Sequence, residues 1–347
     1  MGEAPTLQTL GWAAQNSSGL LAPYKFKRRV TRPNDVTMKV KYCGICHSDV
    51  CQIRYEWGAS EYPMVPGHEV VGVMKEVGCE VADFKVGQTT GVRCMVWSCQ
   101  TCESCDDGLE QYCPKKIWTY NGVDTDGTPT YGGYSTEMVC DRKYVLGIPE
   151  NCPLDAASPF LCAGITTFSP MKYYGMTEKG KSLGVIGLGG LGRMAVKCAK
   201  AFGLRVTVFS TSPGKEKESR ELLGADDFII STDKEKIKAA ESTIDNIIDT
   251  VSAVHPVDVY LGLLKTNGKF IMVGIPESPL QFSPNSVISW RRCVGGSLLG
   301  GVAETQEILD FCGIYHSFEL QQQMMNCWIV CCIQTLEAFC GCNSECS

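Results

Sequence analysis

A glycine-rich segment near the middle of the chain constrains its fold more than any other feature. Residues 181–192 read Lys-Ser-Leu-Gly-Val-Ile-Gly-Leu-Gly-Gly-Leu-Gly, and residues 193–202 continue with helical spacing. A strand, the pattern Gly187-x-Gly189-x-x-Gly192 and a helix form the context that a dinucleotide-binding fingerprint requires. Glycine permits the tight turn and lets the backbone approach a pyrophosphate at the helix N-terminus. We therefore predict that one continuous turn binds a dinucleotide: Gly187, Leu188, Gly189, Gly190, Leu191 and Gly192.

The segments that follow the turn alternate between strand-like and helix-like patterns. Apolar runs typical of buried strands occupy residues 205–209, 228–230, 244–250 and 269–273, and helical patterns occupy residues 215–223 and 234–240. Strands that alternate with helices are typical of a parallel sheet covered on both faces. We expect an α/β fold with a doubly wound parallel sheet in this half of the chain.

The residues after the second of these strands indicate which nucleotide binds. An acidic residue normally holds the ribose hydroxyls of NAD at this place. Here the chain reads Ser210-Thr211-Ser212, with Lys215 three residues on. Hydroxyls with a nearby cation can bind a 2′-phosphate, so we expect NADP(H). The alternative is that Ser212 and Pro213 cap the next helix, and both roles can coexist.

Three residues in other parts of the chain suggest a catalytic zinc ion. Cys46 lies in the segment Cys43-Gly44-Ile45-Cys46-His47-Ser48-Asp49, His68 about twenty residues later, and Cys162 far downstream. Thiolate and imidazole are the ligands that zinc prefers. Three protein ligands with an open fourth position are typical of a catalytic zinc site.

A second group of cysteines is spaced as in a structural zinc site. Cys99, Cys102, Cys105 and Cys113 follow the pattern C-x2-C-x2-C-x7-C. Four thiolates on a compact loop saturate a tetrahedral zinc and leave no position for a substrate. The alternative is four unrelated cysteines in a cysteine-rich chain.

Composition restricts the class of protein. The chain has 347 residues, 44% hydrophobic content and a net charge of −6, which argue for two globular domains and against nucleic-acid or anionic-membrane partners. Neither a secretory signal nor an apolar run of about 18 residues is visible. We therefore interpret the 21 cysteines as reduced thiols of a cytoplasmic protein. Residues 11–91 are strand-like, and residues 1–8 are expected to form a loose arm.

Several motifs together resemble a known family. Gly67-His68-Glu69-x2-Gly72-x5-Gly78-x2-Val81 is similar to the zinc alcohol dehydrogenase signature. With residues 42–49, 126–128, 131–134 and 304–307, the chain resembles the plant cinnamyl alcohol dehydrogenases, which are medium-chain zinc dehydrogenases. This resemblance implies a GroES-like irregular β catalytic domain over residues 1–155, a Rossmann NADP-binding domain over 156–296 and a return to the catalytic domain over 297–347. It also implies a homodimer that interconverts cinnamyl-type alcohols and aldehydes in lignin monomer biosynthesis.

The resemblance also implies roles for individual residues. Ser48 would contact the coenzyme and donate the proton to the reduced substrate, Glu69 would be an occasional fourth zinc ligand, and Asp49 would accept a hydrogen bond from the ligand histidine. His47 would point away from the metal. Further coenzyme contacts would come from Thr166, Thr250, Gly274, Leu298, Leu299 and Gly300. Trp118 and Leu298 would line the substrate pocket, although Trp118 could equally be a packed core residue.

Two departures from the family pattern bear on activity. Cys51 stands where the family usually has a histidine that ends a proton relay, and a thiol is a poorer shuttle than an imidazole. From about residue 313 the likeness stops, so we expect doubtful closure of the catalytic domain, an exposed sheet edge and low stability. Two alternatives stay open: a reductase of other plant aldehydes such as terpenoid aldehydes, or a catalytically impaired protein that binds NADPH and zinc.

Overall fold

The computed structural model describes residues 6–314 and 330–332. These residues divide into two units. The first contains the described chain up to Cys162 and resumes at Gly301, and the second is Ala163–Gly300. Within the described residues, no helix is both long enough and apolar enough to cross a bilayer.

The first unit is built from antiparallel strands with short helices between them. A hairpin pairs β1 with β2, the main sheet has the order β16-β3-β4-β5-β9 with β8 also paired to β3, and β6 pairs with β7. The strands are β1 Thr6–Ala14, β2 Leu21–Arg29, β3 Asp35–Gly44, β4 Val70–Val77, β5 Thr89–Val92, β6 Met95–Trp97, β7 Ile117–Trp118, β8 Glu137–Asp141, β9 Val145–Gly147 and β16 Val330–Cys332. The helices are α1 His47–Ile53, α2 Glu103–Asp106, α3 Leu154–Ala157 and α9 Val302–Ile314.

Alternation along β3 builds the core of the main sheet. Val36, Met38 and Val40 are buried at every second position and pack with apolar residues of β4 and β8. Gly72 of β4 faces a register shift in β3, and a Cβ there would lie 2.3 Å from the carbonyl oxygen of Lys39. The glycine of the dehydrogenase-like motif therefore permits close approach of the two strands that lead to Cys46 and His68.

The N-terminal segment differs from the expectation. Residues 6–8 were expected in a loose arm, but β1 begins at Thr6 and pairs with β2 along its whole length. The backbone of these residues finds its hydrogen-bond partners in Lys27, Arg28 and Arg29. The expectation was wrong for residues 6–8, because nearness to the chain terminus does not prevent a segment from being held by pairing with a following strand.

One part of the C-terminal segment returns to the main sheet. Val330–Cys332 pairs antiparallel with Tyr42–Gly44, so the sheet edge expected to be exposed is covered at these three positions. The rest of the chain after Ile314 lies outside the described residues. The prediction of low stability and the interpretation of the cysteines in this segment as reduced thiols therefore remain predictions.

The second unit is a six-stranded parallel sheet with helices between successive strands. The strand order is β12-β11-β10-β13-β14-β15, and the predicted doubly wound parallel sheet is confirmed. Its strands are β10 Ser182–Ile186, β11 Arg205–Ser210, β12 Asp227–Ile230, β13 Ile244–Asp249, β14 Leu264–Met272 and β15 Cys293–Gly296. Its helices are α4 Ala163–Tyr173, α5 Gly190–Ala201, α6 Lys234–Ala239, α7 Val257–Leu263 and α8 Pro284–Ile288.

The central strands of this sheet are apolar because both of their faces are buried. All five residues of β10 are buried, as are five of the six residues of β11. The helix expected over residues 215–223 instead begins at Pro213 as a 3-10 turn and continues as a π-helix over Glu218–Leu222. The carboxyl ends of β10, β11 and β13 lie side by side, where this class of sheet binds ligands.

Candidate active site

Three distant segments of the first unit bring four potential metal ligands together. Cys46 is the N-cap of α1, His68 and Glu69 immediately precede β4, and Cys162 follows the 3-10 helix Ser158–Leu161. The donor atoms of these four side chains all lie within 4.8 Å of one another. The structure thus groups the residues that the sequence suggested as catalytic zinc ligands.

The distances between the donor atoms fit a tetrahedral zinc ion. The sulfurs of Cys46 and Cys162 lie 3.9 Å apart, and His68 Nε2 lies 3.3 Å from the Cys162 sulfur. In a tetrahedral zinc site two sulfurs lie about 3.8 Å apart, and a sulfur and an imidazole nitrogen about 3.6 Å. The hydrogen bond with Cys162 also lowers the pKa of Cys46, against the effect of burial. The thiolate is the form that binds a metal, so the donor set suits zinc.

The Glu69 carboxylate is a buried group whose partner would be a cation. Its side chain is fully buried, and neither carboxylate oxygen has a hydrogen-bond partner among residues 6–314. Burial, together with the charge of Cys46, raises the pKa of this carboxyl group. A Cβ at Gly44 would lie 1.8 Å from one Glu69 oxygen, so the glycine makes room for the carboxylate. A metal ion beside these oxygens would satisfy them, in agreement with an occasional fourth ligand.

Asp49 fixes the orientation of the ligand histidine. It lies in the first turn of α1, fully buried, and accepts hydrogen bonds from the backbone N–H of Cys46 at 2.9 Å and of Gly67 at 3.1 Å. His68 Nδ1 lies 3.1 Å from the same carboxylate. This contact places the proton on Nδ1 and leaves Nε2 to face the metal site. Burial opposes ionisation of Asp49, but the charge of His68 and these hydrogen bonds lower its pKa.

Two further residues of α1 have positions that bear on proton transfer. The Ser48 hydroxyl donates to the Cys46 sulfur at 3.1 Å, so it lies against the metal-ligand cluster. Cys51 lies one helical turn further along and is buried. His47 is exposed and is not part of the ligand group.

The four-cysteine loop forms a second group of sulfurs. The Sγ atoms of Cys99, Cys102, Cys105 and Cys113 all lie within 4.8 Å of one another. The Cys99–Cys113 distance is 3.5 Å and the Cys102–Cys105 distance is 3.6 Å, close to the separation in a tetrahedral zinc site. A hydrogen bond from the Thr101 backbone lowers the pKa of Cys99 to about 6. A closed four-sulfur site has no place for a substrate.

In the second unit, the predicted coenzyme turn joins β10 to α5. Gly187 has a φ of +83°, which favours glycine, and Gly189 is the N-cap of α5. A Cβ at Gly192 would lie 2.1 Å from the Gly187 carbonyl oxygen, so the helix can approach the strand this closely only at a glycine. The N-terminus of α5 is thereby presented at the carboxyl edge of the sheet, where a pyrophosphate can bind its N–H groups.

The residues predicted to select NADP lie beside this turn. Ser210 ends β11, Thr211 and Ser212 are exposed, and the Lys215 ammonium donates to the Leu188 carbonyl oxygen at 3.0 Å. Ser212 occupies the N-cap position of the 3-10 turn but makes no side-chain capping hydrogen bond. Its hydroxyl therefore stays available for a ligand.

The other predicted coenzyme contacts also lie in the second unit. The Thr250 hydroxyl donates to the Ile186 carbonyl oxygen at 2.7 Å, and Gly274 follows β14 where a Cβ would lie 2.4 Å from the Val251 carbonyl oxygen. Thr166 is buried on α4, and Leu298–Gly300 follows β15.

The two residues predicted to line the substrate pocket belong to different units. Trp118 in β7 is half-buried and lies under the Lys116 ammonium, 5.2 Å from the ring centroid. Leu298 is part of the second unit. Both the pocket role of Trp118 and its packing alternative stay open.

Several side chains around the ligand group were not predicted from the sequence. The Tyr134 hydroxyl donates to Asp49 at 3.3 Å, and the Tyr120 ring stacks on His68 at 5.9 Å. Interaction with Cys162 lowers the pKa of the buried Cys94 to about 5. No spacing rule relates these residues to their partners, because the contacts join segments that are distant in sequence.

Comparison with known families agrees with this arrangement. Residues 32–150 match the alcohol dehydrogenase GroES-like domain, and residues 190–313 match the zinc-binding dehydrogenase family. The predicted GroES-like domain is therefore confirmed.

Individual relatives are similar over most of the chain. A probable mannitol dehydrogenase of Medicago sativa is 56% identical, over 88% of this chain and 85% of that protein. A probable cinnamyl alcohol dehydrogenase of Pinus taeda is 54% identical, over 90% and 88%. The structure of a cinnamyl alcohol dehydrogenase from Sorghum bicolor superposes with a TM-score of 0.89 and 46% identity, over 94% of this chain and 98% of that one. The Helicobacter pylori enzyme complexed with NADP(H) gives 0.82 and 39%, over 93% and 90%. The chain is an alcohol dehydrogenase and belongs to the plant cinnamyl alcohol dehydrogenase family of zinc-containing medium-chain dehydrogenases.

Proposed function

We propose that this alcohol dehydrogenase uses NADP(H) to interconvert cinnamyl-type aldehydes and alcohols, in the synthesis of lignin monomers. The observation that supports this most is the convergence of Cys46, His68, Glu69 and Cys162, which are the donors of a catalytic zinc site. The names of the Pinus taeda and Sorghum bicolor relatives support the substrate class, and the Helicobacter pylori complex supports the coenzyme.

The chemistry is divided between bound groups and the chain's own residues. Zinc supplies a Lewis acid for the substrate oxygen, and NADPH supplies the hydride. Cys46, His68 and Cys162 hold the metal, with Glu69 as an occasional further ligand. The Asp49 carboxylate keeps His68 in the tautomer that binds through Nε2. Ser48 donates the proton that the reduced oxygen needs.

Turnover of an aldehyde series tests the substrate class. NADPH oxidation should be faster, as kcat/KM, with coniferaldehyde than with a monoterpene aldehyde. A second candidate is mannitol oxidation, because the Medicago sativa relative bears that name. A higher kcat/KM for the monoterpene aldehyde or for mannitol would overturn the cinnamyl assignment, and the absence of all turnover would favour the impaired-protein alternative.

Replacing Lys215 by glutamate should reverse the coenzyme preference. A carboxylate beside Ser210–Ser212 would repel the 2′-phosphate of NADPH and could bind the ribose hydroxyls of NADH. We expect kcat/KM for NADPH to fall by about 100-fold while that for NADH changes little, since one charge reversal near a phosphate costs about 3 kcal/mol. Lys217→Glu is the matched control, because Lys217 is exposed and pairs with Glu221. An unchanged NADPH/NADH ratio in Lys215→Glu would contradict this assignment.

Cys51→His should raise turnover by restoring an imidazole to the proton relay. We expect about a threefold gain in kcat at neutral pH, since relay groups act best near their own pKa. Because Cys51 is buried, the Tm of the variant must be measured beside its rate. Cys51→Ser separates loss of the thiol from gain of the imidazole. Equal kcat values for the wild type, Cys51→His and Cys51→Ser would contradict a role of residue 51 in the proton relay.

Metal content, assembly and location complete the proposal. We expect two zinc ions per chain, one in each ligand group, measured by elemental analysis. We expect a homodimer from the family resemblance, testable by light scattering. We expect a cytoplasmic protein, because no disulfide joins the described cysteines up to Cys312 and disulfides are rare in the cytosol.

A further inference from the structure

A buried histidine–aspartate pair in the second unit takes no part in the proposed reaction. His255 Nε2 lies 3.0 Å from an Asp249 carboxylate oxygen, and the two side chains are only 10% and 2% exposed. His255 Nδ1 lies 2.8 Å from the Ala253 carbonyl oxygen. Asp249 is the last residue of β13 and pairs with Ile186, the residue before Gly187. The pair therefore lies next to the first residue of the coenzyme turn.

The two contacts of the ring require a charged imidazole. A carbonyl oxygen can only accept, so Nδ1 must carry a proton to bond Ala253. The Asp249 carboxylate is an acceptor as well, so Nε2 must carry the second proton. In the neutral ring with its proton on Nδ1, the Nε2 lone pair would face a buried carboxylate. Deprotonation therefore removes the contact with Asp249 and replaces attraction by repulsion.

Residues 249–255, whose two ends are joined by the Asp249–His255 contact, pack against the coenzyme turn. Asp249 also accepts from the Val251 backbone N–H at 3.1 Å. A Cβ added at Gly187 would lie 2.9 Å from the Val251 side chain and 3.1 Å from the Thr250 hydroxyl oxygen. The Thr250 hydroxyl would be 3.3 Å from a Cβ at Gly192. Two of the predicted coenzyme residues, Gly187 and Gly192, thus pack directly on residues 250 and 251.

We propose that His255 is a positioning residue, which holds residues 249–255 against the Gly187–Gly192 turn and makes the affinity for NADP(H) depend on pH. This proposal rests on the proposed coenzyme, but the contacts that support it lie within the protein. The ion pair, hydrogen bond and ring contact of His255 are made with Asp249, Ala253 and Tyr260, none of which is a predicted coenzyme residue. The effect of His255 on the coenzyme is exerted through Asp249, Thr250 and Val251.

The direction of the pH effect follows from the groups that face the ring. Asp249 faces His255 from the end of β13, and the hydrogen bond with Asp249 raises the pKa of His255. Tyr260 of α7 faces it with ring centroids 5.8 Å apart, and burial raises the pKa of Tyr260, so this neighbour is neutral. A raised histidine pKa means that the contact is complete at lower pH and is lost as pH rises through that pKa. Coenzyme affinity should therefore weaken as pH rises above the ordinary histidine pKa of 6.5 and through the raised pKa of His255.

The test measures the NADPH dissociation constant by fluorescence from about pH 7 to 9.5. This range lies above the second pKa of about 6 of the coenzyme's 2′-phosphate, so the charge of the phosphate is nearly constant. For the wild type we expect the constant to rise about five- to tenfold across this range, the coupling expected from the loss of one ion pair within the fold. In His255→Gln the amide still donates to Asp249 but does not titrate, so the curve should be flat. In His255→Ala the constant should be high at every pH.

Asp258→Asn is the matched control. Asp258 lies on α7, and its carboxylate accepts from the Ser283 backbone N–H at 3.0 Å and from the Ser286 hydroxyl at 2.7 Å, on the side of α8. This variant should keep the pH curve of the wild type. A wild-type constant that does not change with pH, or a His255→Gln curve that rises as the wild type does, would overturn the proposal.

A second measurement separates this inference from the choice of coenzyme. Hydrogen exchange of the peptide that contains Gly187–Gly192 is followed in the coenzyme-free protein at about pH 7. Faster exchange in His255→Ala than in wild type and His255→Gln would support the positioning role even if NADPH does not bind. Equal exchange in the three proteins would overturn it, whereas failure of the wild type to bind NADPH would overturn only the coenzyme assignment.

Discussion

Asp49→Asn should lose zinc from the cluster of Cys46, His68, Glu69 and Cys162 while the protein stays folded. The amide has nearly the size of the carboxylate but lacks its charge. It can accept through only one atom, whereas Asp49 uses both oxygens for Cys46, Gly67 and His68. Loss of such a partner of a ligand histidine costs about 10- to 100-fold in metal affinity. Competition with a chelator, read as zinc retained at each chelator concentration, measures this directly.

A matched control separates the metal effect from general destabilisation. Asp35 is also buried in the first unit, but it pairs with Arg29 and does not contact the ligand cluster. Asp35→Asn should lower the Tm without changing the zinc affinity. An Asp49→Asn protein that holds zinc as tightly as the wild type would show that His68 needs no partner at Nδ1.

Cys113→Ser should destabilise the first unit without acting on the catalytic chemistry directly. Cys113 is fully buried, and the backbone N–H groups of Cys99 and Lys115 point to its sulfur at 3.4 Å. Serine is a weak zinc ligand, and structural zinc binding contributes folding free energy. We expect the loss of about one zinc per chain and a decrease in Tm of roughly 10 °C.

An exposed cysteine of the same unit is the control for this variant. Cys79→Ser should leave both zinc content and Tm unchanged, because Cys79 is exposed and belongs to neither sulfur group. A Cys113→Ser protein with the zinc content and Tm of the wild type would mean that the four cysteines do not form a structural site.

Local sequence patterns predicted those parts of the fold that depend on neighbouring residues. Strand-like sequence over residues 11–91 indicated the sheet of the first unit, continuous apolar runs indicated the strands of the parallel sheet, and glycine spacing indicated the turn before α5. The spacing of Cys99 to Cys113 predicted a compact sulfur group for the same reason. These features depend on backbone geometry over a few residues, and the spacing of residue types along the sequence reflects that local geometry.

Contacts between distant segments could not be predicted in this way. Gly44 makes room for Glu69, and Tyr134 donates to Asp49 across 85 positions of sequence. Val330–Cys332 has three residues, too few for any periodicity, and only its pairing with Tyr42–Gly44 defines it as a strand. The roles of Asp49 and Glu69 were predicted from the family resemblance. The His255–Asp249 contact could not be predicted, because it forms only when the turn after β13 has folded.

The most direct test of the central claim is zinc content measured together with NADPH oxidation by coniferaldehyde, in the wild type and in Cys162→Ser. We expect about two zinc ions per wild-type chain, about one in the variant, and a loss of turnover of roughly 1,000-fold or more. A variant that loses one zinc but keeps wild-type turnover would contradict the assignment of a catalytic zinc to these residues. So would a wild type that turns over with Cys46, His68 and Cys162 free of metal.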